Sequence, residues 1–191
     1  MKGLLKSIKG LSTPVTTLII LVVSVLLATI VTYYAINVTT TRVQEESLYI
    51  SKVHIWVNTS GSWSEAAFVL INTGGRDVVL DKISIRGQES SWSNVYFWTN
   101  SSVTVFDDLD VTTTELSGST FNVTVQGSSR TFSNASYASR GDITLKSGWT
   151  MVAYIKNPDS IGVNDIGLSI GLTAHTANAE YYKECNVEAA Q

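Results

Sequence analysis

The sequence predicts an α+β chain, with one long amino-terminal hydrophobic α-helix followed by an all-β, immunoglobulin-like sandwich of about seven to eight strands. Two observations carry this. Leu11 to Thr41 holds no charged side chain, with Leu18 to Ile36 almost continuously apolar. Beyond Glu46 the pattern changes to short alternating runs separated by Gly, Asn and Ser turns.

The helix comes first. At about 1.5 Å per residue it is long enough to cross a hydrocarbon core of about 30 Å. Lys2, Lys6 and Lys9 precede it without an acid, which predicts that this end stays in the cytoplasm and the rest is exported. The apolar run is longer than that of a secretory signal and offers no small-x-small cleavage site at Tyr33-Tyr34-Ala35-Ile36-Asn37. Apolar residues cover the whole circumference, so the helix requires lipid or other helices around it. Ser24, Ala28 and Thr32 recur every four residues and form a row on which a neighbouring helix could approach closely. Pro14 is expected in the first turn, with Ser12 and Thr13 as caps.

The strands follow. Leu48, Ile50, Val53, Ile55 and Val57 alternate with an interruption near Ser51-Lys52, as in a bulged strand. Further runs are expected at 66–72, 78–85, 95–99, 120–125, 150–156, 165–173 and 180–187. Trp56, Trp63, Trp92, Trp98 and Trp149 are expected mainly in core and strand packing, with Trp63 and Trp92, in Ser-rich stretches, as candidates for subunit contacts or sugar binding.

The leader and helix start, Lys9-Gly10 followed by Leu11-Ser12-Thr13-Pro14-Val15, resemble those of archaeal type IV pilins and their archaellin relatives, over about the first 40 residues. Val15 stands where bacterial pilins carry glutamate, which fits the archaeal branch. The resemblance implies a class III leader, residues 1–10, cut by a prepilin peptidase between Gly10 and Leu11, so that Lys9, Gly10 and Leu11 form the processing site. Residues 11–46 would then be a helix, transmembrane before assembly and filament core afterwards, and 47–191 a headgroup. It further implies a homo-oligomeric helical filament built at an assembly platform from a precursor in the cytoplasmic membrane, with adhesion as the expected role. Phe68 to Gly75 leading into Val78 to Ile85 is similar to the strand, Asn-x-Gly turn and strand of such headgroups. The cut would change the formal charge from −3 to −6.

Five sequons begin at Asn37, Asn58, Asn100, Asn122 and Asn134, with Asn100 and Asn134 the expected favourites because polar turn sequence surrounds them. About a quarter of the chain is Ser or Thr, neutral hydroxyls that are cheap to bury between subunits. Net charge −3 gives no basic footprint, so nucleic acid is not an expected partner. One cysteine, Cys185, excludes an intrachain disulfide, and with His54 and His175 it offers little to a metal. Asp107, Asp108 and Asp110 lack the ligand spacing of a calcium loop. No catalytic residue, metal or cofactor is expected. The alternatives are a membrane-tethered binding module that does not polymerise and, behind it, an anchored hydrolase.

Overall fold

The computed structural model describes residues 8–43, 45–60, 62–101, 104–138, 142–159 and 161–190. The chain divides into two compact units, Met1–Val43 and Gln44–Gln191.

The described residues of the first unit form one helix, α1, Ile8–Val43. It begins before the expected start at Leu11, running through Gly10, and ends at Val43, short of the expected limit at 46. Pro14 therefore lies inside the helix of the uncut chain and not in its first turn. There its missing N–H leaves one i→i−4 bond unmade. Within the helix the span Thr13–Thr41, whose most apolar 18-residue stretch has a mean hydropathy of 2.7, is long and apolar enough to cross a membrane. Its hydroxyls turn back on their own backbone: Ser24 Oγ donates to the Ile20 carbonyl at 2.7 Å, Thr29 to Val25 and Thr32 to Ala28 at 2.8 Å.

The second unit is the β region, with eleven strands among its described residues where the sequence predicts seven or eight. They are β1 Leu48–Asn58, β2 Trp63–Asn72, β3 Val78–Ile85, β4 Gln88–Glu89, β5 Val95–Asn100, β6 Thr120–Val125, β7 Ser128–Asn134, β8 Ile143–Leu145, β9 Thr150–Lys156, β10 Ser169–Thr176 and β11 Glu180–Ala190. The first sheet runs β1-β2-β9-β5-β7-β6 and the second β4-β3-β10-β11, with β8 on β3. β11 joins them, pairing antiparallel with β10 through Glu180–Asn186 and then parallel with β1 through Val187–Ala190.

The added strands have local causes. Gln126 and Gly127 both take positive φ, a two-residue turn that pairs Val125 with Ser128, so Ser128 and Ser129 open β7 instead of forming a loop. Arg86 and Gly87 do the same between β3 and β4. The expected bulge in β1 is present: the register shifts between Ser51 and His54, and Lys52 sits at φ +51°.

One core fills the space between the sheets: Ile55, Phe68, Leu70, Met151 and Ile155 from the first meet Leu80, Ile83, Ile85, Leu172 and Ala174 from the second. A second core lies on the opposite face of the first sheet. Trp56, Ala67, Val69, Val152 and Tyr154 are covered there by Val105, Leu109 and Leu116 of an irregular segment and by Val123, Val125 and Phe132 of the β6–β7 hairpin. β2 and β9 are thus buried on both faces, which is why they read as continuous apolar runs without alternation.

Candidate functional site

On the helix, the expected processing site Lys9-Gly10-Leu11 lies in helical backbone. Residues 1–7 of the expected leader, with Lys2 and Lys6, lie outside the described residues. Ser24, Ala28 and Thr32 follow one another at one-turn spacing, all exposed. Because Ser24 and Thr32 donate to the backbone, this row presents small surfaces without unpaired donors.

The sequons have different settings. Asn122 is exposed on β6, its Oδ1 accepting from Thr131 Oγ1 at 2.9 Å, and Thr124 of the same sequon is exposed beside it. Asn134 is 2% exposed; its amide nitrogen donates to the Ser93 carbonyl at 2.6 Å and its oxygen accepts from Ser136. In the folded protein that nitrogen is inside, contrary to what its Ser-rich surroundings suggest. Asn58 ends β1 in an Asx turn with Ser60, Asn100 ends β5 half-buried, and Asn37 is an exposed helix residue.

The segment Thr104–Gly118, here called the strap, covers the outer face of the first sheet and is held there by side chains from that sheet. Lys52 Nζ donates to the carbonyls of Phe106 and Asp107. His54 Nε2 meets Asp108 Oδ1 at 2.8 Å while its ring stacks on Trp56, with centroids 5.1 Å apart. Tyr154 donates its hydroxyl to the Asp110 carbonyl at 3.0 Å, and Tyr96 donates to Gly118 at 3.0 Å. Glu115 bonds Asn157 at 2.7 Å and Lys156 at 3.2 Å. Glu65, 1% exposed, accepts the Thr112 N–H at 3.2 Å and also meets Thr112 Oγ1.

Burial pushes the Glu65 carboxyl up to about 7, against the bonds from Thr112. Burial also raises the Tyr154 hydroxyl, reinforced by the charge of Asp110. Asp108 moves the other way: burial opposes its charge, but the hydrogen bond and charge of His54 hold it below the ordinary carboxylate range. The acidic residues Asp107, Asp108 and Asp110 therefore belong to a pinned segment, and among the described residues no group of three or more His, Cys, Asp or Glu could hold a metal.

On the outer face of the second sheet, Ser84 Oγ lies 2.9 Å from His175 Nε2, and His175 Nδ1 lies 3.1 Å from Glu180 Oε1. This has the connectivity of nucleophile, base and orienting acid. Ser84, however, is 6% exposed and sits near the end of β3, between two strands, paired with Thr173 on one side and Glu89 on the other. Its own main chain is used in the ladder and cannot supply oxyanion donors. Cys185 packs partly buried against the inter-sheet core, and burial, with Glu188 nearby, pushes its thiol up to about 11. The two histidines and the cysteine thus have separate partners.

Of the tryptophans, Trp56 is buried, Trp92 and Trp149 pack on the inter-sheet core, and Trp98 packs on the second core with Arg130 5.1 Å from its ring. Trp92 is thus half-buried against that core, in the short helical turn Trp92–Asn94. Trp63 lines a groove of about 340 Å³ with Ser62, Asn157 and Asp159.

No protein-family model matches the sequence, and no curated protein matches it. Among solved structures a copper-bound PCuAC domain from PmoF2 aligns at 14% identity, over 76% of this chain and 98% of that one, with a TM-score of 0.32. That value is too low to establish a common fold.

Proposed function

We propose that this chain is the structural subunit, a pilin, of an archaeal type IV pilus-like surface filament that polymerises through its amino-terminal helix and serves adhesion. The observation that carries the reading is the helix itself. Over Thr13–Thr41 its apolar side chains stand outwards on every side, and its hydroxyls are tied to its own backbone. Such a surface suits lipid before assembly and sibling helices afterwards, because neither neighbour need satisfy a polar group.

Pro14 supports the same reading. In the uncut helix it interrupts the ladder, whereas a cut between Gly10 and Leu11 makes it the fourth residue of the mature chain. In a first turn the absent N–H costs nothing. Removing Lys2, Lys6 and Lys9 also removes the charges that anchor the precursor to the cytoplasmic side. Assembly then proceeds by apolar burial through repeated, non-closing contacts, with the β units as the outer sheath. The prepilin peptidase, the assembly platform and the cytoplasmic membrane are the partners of the precursor.

The alternative is a membrane-anchored binding module that does not polymerise, for which the Trp63 groove would be the binding site. Amino-terminal sequencing of sheared surface material separates the two. The filament reading expects Leu11 as the first residue, and expects Gly10→Phe to block both the cut and the fibres. Full-length chains recovered only as detergent-soluble monomers would overturn it.

A further inference from the structure

The contacts of Thr112 fix where a proton must sit. Its Oγ1 lies against two acceptors, Glu65 Oε2 and the Thr114 carbonyl, the latter at 2.8 Å. A hydroxyl carries one proton and can donate to only one of them. With Glu65 ionised, one of these oxygen pairs would face each other with no proton between, inside a site where Glu65 is 1% exposed and Thr112 8%. With Glu65 protonated at Oε2 every contact is met. The acid donates to Thr112 Oγ1, that hydroxyl donates to Thr114, and Thr112 N–H donates to Glu65 Oε1.

We infer that Glu65 is a neutral carboxylic acid in the folded protein and latches the strap Thr104–Gly118 onto the first sheet, and that its ionisation loosens the strap. Nothing in this depends on whether the chain polymerises.

The charged and titratable groups around Glu65 leave it without a counter-ion. Lys156, its neighbour across β9, is engaged by Glu115 at 3.2 Å. On the other flank β1 presents Trp56, with His54 beyond it committed to Asp108 and Lys52 to strap carbonyls. The strap itself brings Asp110, and β9 the hydroxyl of Tyr154, bonded to the Asp110 carbonyl; neither stabilises an anion at Glu65.

When the strap lifts, Glu65 meets water and recovers an ordinary carboxyl. The closed form binds the proton more tightly than the open one, so closure is strongest in mild acid and weakens as the pH rises towards neutrality. Above the folded value both forms are ionised and the effect levels off. Asp108 acts in the opposite sense: its contribution is present above the ordinary Asp range and is lost only in stronger acid.

Hydrogen exchange on the full chain in detergent tests the latch. Corrected for intrinsic rates, protection of peptides covering Val105–Leu116 should fall about tenfold or more between about pH 5 and about pH 7 and then flatten. In Glu65→Gln, whose amide takes over the donor to Thr112 Oγ1, that dependence should vanish. His54→Gln should leave it in place. Flat protection in the wild type, or the same pH dependence in Glu65→Gln, or its loss in His54→Gln alone, would overturn the inference. An infrared carboxylic-acid C=O band persisting in the wild type at about pH 6 and disappearing above neutrality supports it without any variant; its absence at about pH 6 counts decisively against it.

Discussion

At Gly74 the backbone passes so close to the start of β1 that a Cβ would lie 2.6 Å from the Glu45 carbonyl oxygen and 2.7 Å from the Ser47 nitrogen. Both are main-chain atoms, and Gly74 itself donates to the Ser47 carbonyl, so neither side can yield cheaply. Gly171 shows the contrasting case. A Cβ there would meet the Tyr182 ring at 2.2 Å, but Tyr182 is 60% exposed and can swing into solvent. Gly74→Ala should therefore cost about 1–3 kcal/mol in denaturant unfolding, and Gly171→Ala well under that. Gly74 was readable in the sequence as part of an Asn-x-Gly turn; the reason alanine is excluded was not, because the atoms it would strike come from a segment some 28 residues earlier. Glu65 is similar. As the third residue of an apolar strand it carries no signal of being protonated, since its burial depends on Thr112, 47 residues away.

Among the elements, the β6–β7 hairpin behaves unlike the rest of the first sheet. It pairs with β5 only through Tyr96–Asn134 and Phe97–Ser133, and it stays in place by packing over the outer face. Phe132 is its anchor, fully buried, edge-on to Tyr154 at 5.4 Å and tilted against Trp98 at 6.4 Å. Phe132→Ala should cost about 3–5 kcal/mol, measured by thermal or denaturant unfolding, because the cavity opens among strands that cannot collapse into it. Most strands were legible because their runs are apolar. β7 was not, since only Phe132 and Asn134 are buried along it and its other residues are Ser, Thr and Arg, which give no apolar run. β4 and β8 are too short to show a period.

For the molecule as a whole, the filament proposal makes the helix answerable to substitution independently of the β unit. Val25→Asp places a carboxylate at the middle of Thr13–Thr41, where neither lipid nor sibling helices provide water or a counter-ion. Electron microscopy of sheared surface material should then show no filaments, while the β unit keeps its unfolding midpoint; normal filaments from this variant would place their core elsewhere. The helix, its candidate processing site and the β character of the remainder were open to inspection in the chain alone, because hydropathy and charge order are properties of contiguous residues. Tertiary structure decided what covers each face of the first sheet, that Asn134 is inside and Asn122 outside, that Ser84, His175 and Glu180 meet, and that a strap closes over Glu65. Each of these depends on residues distant along the chain sharing one small volume, where loss of water changes what a carboxyl, an amide or a glycine can do.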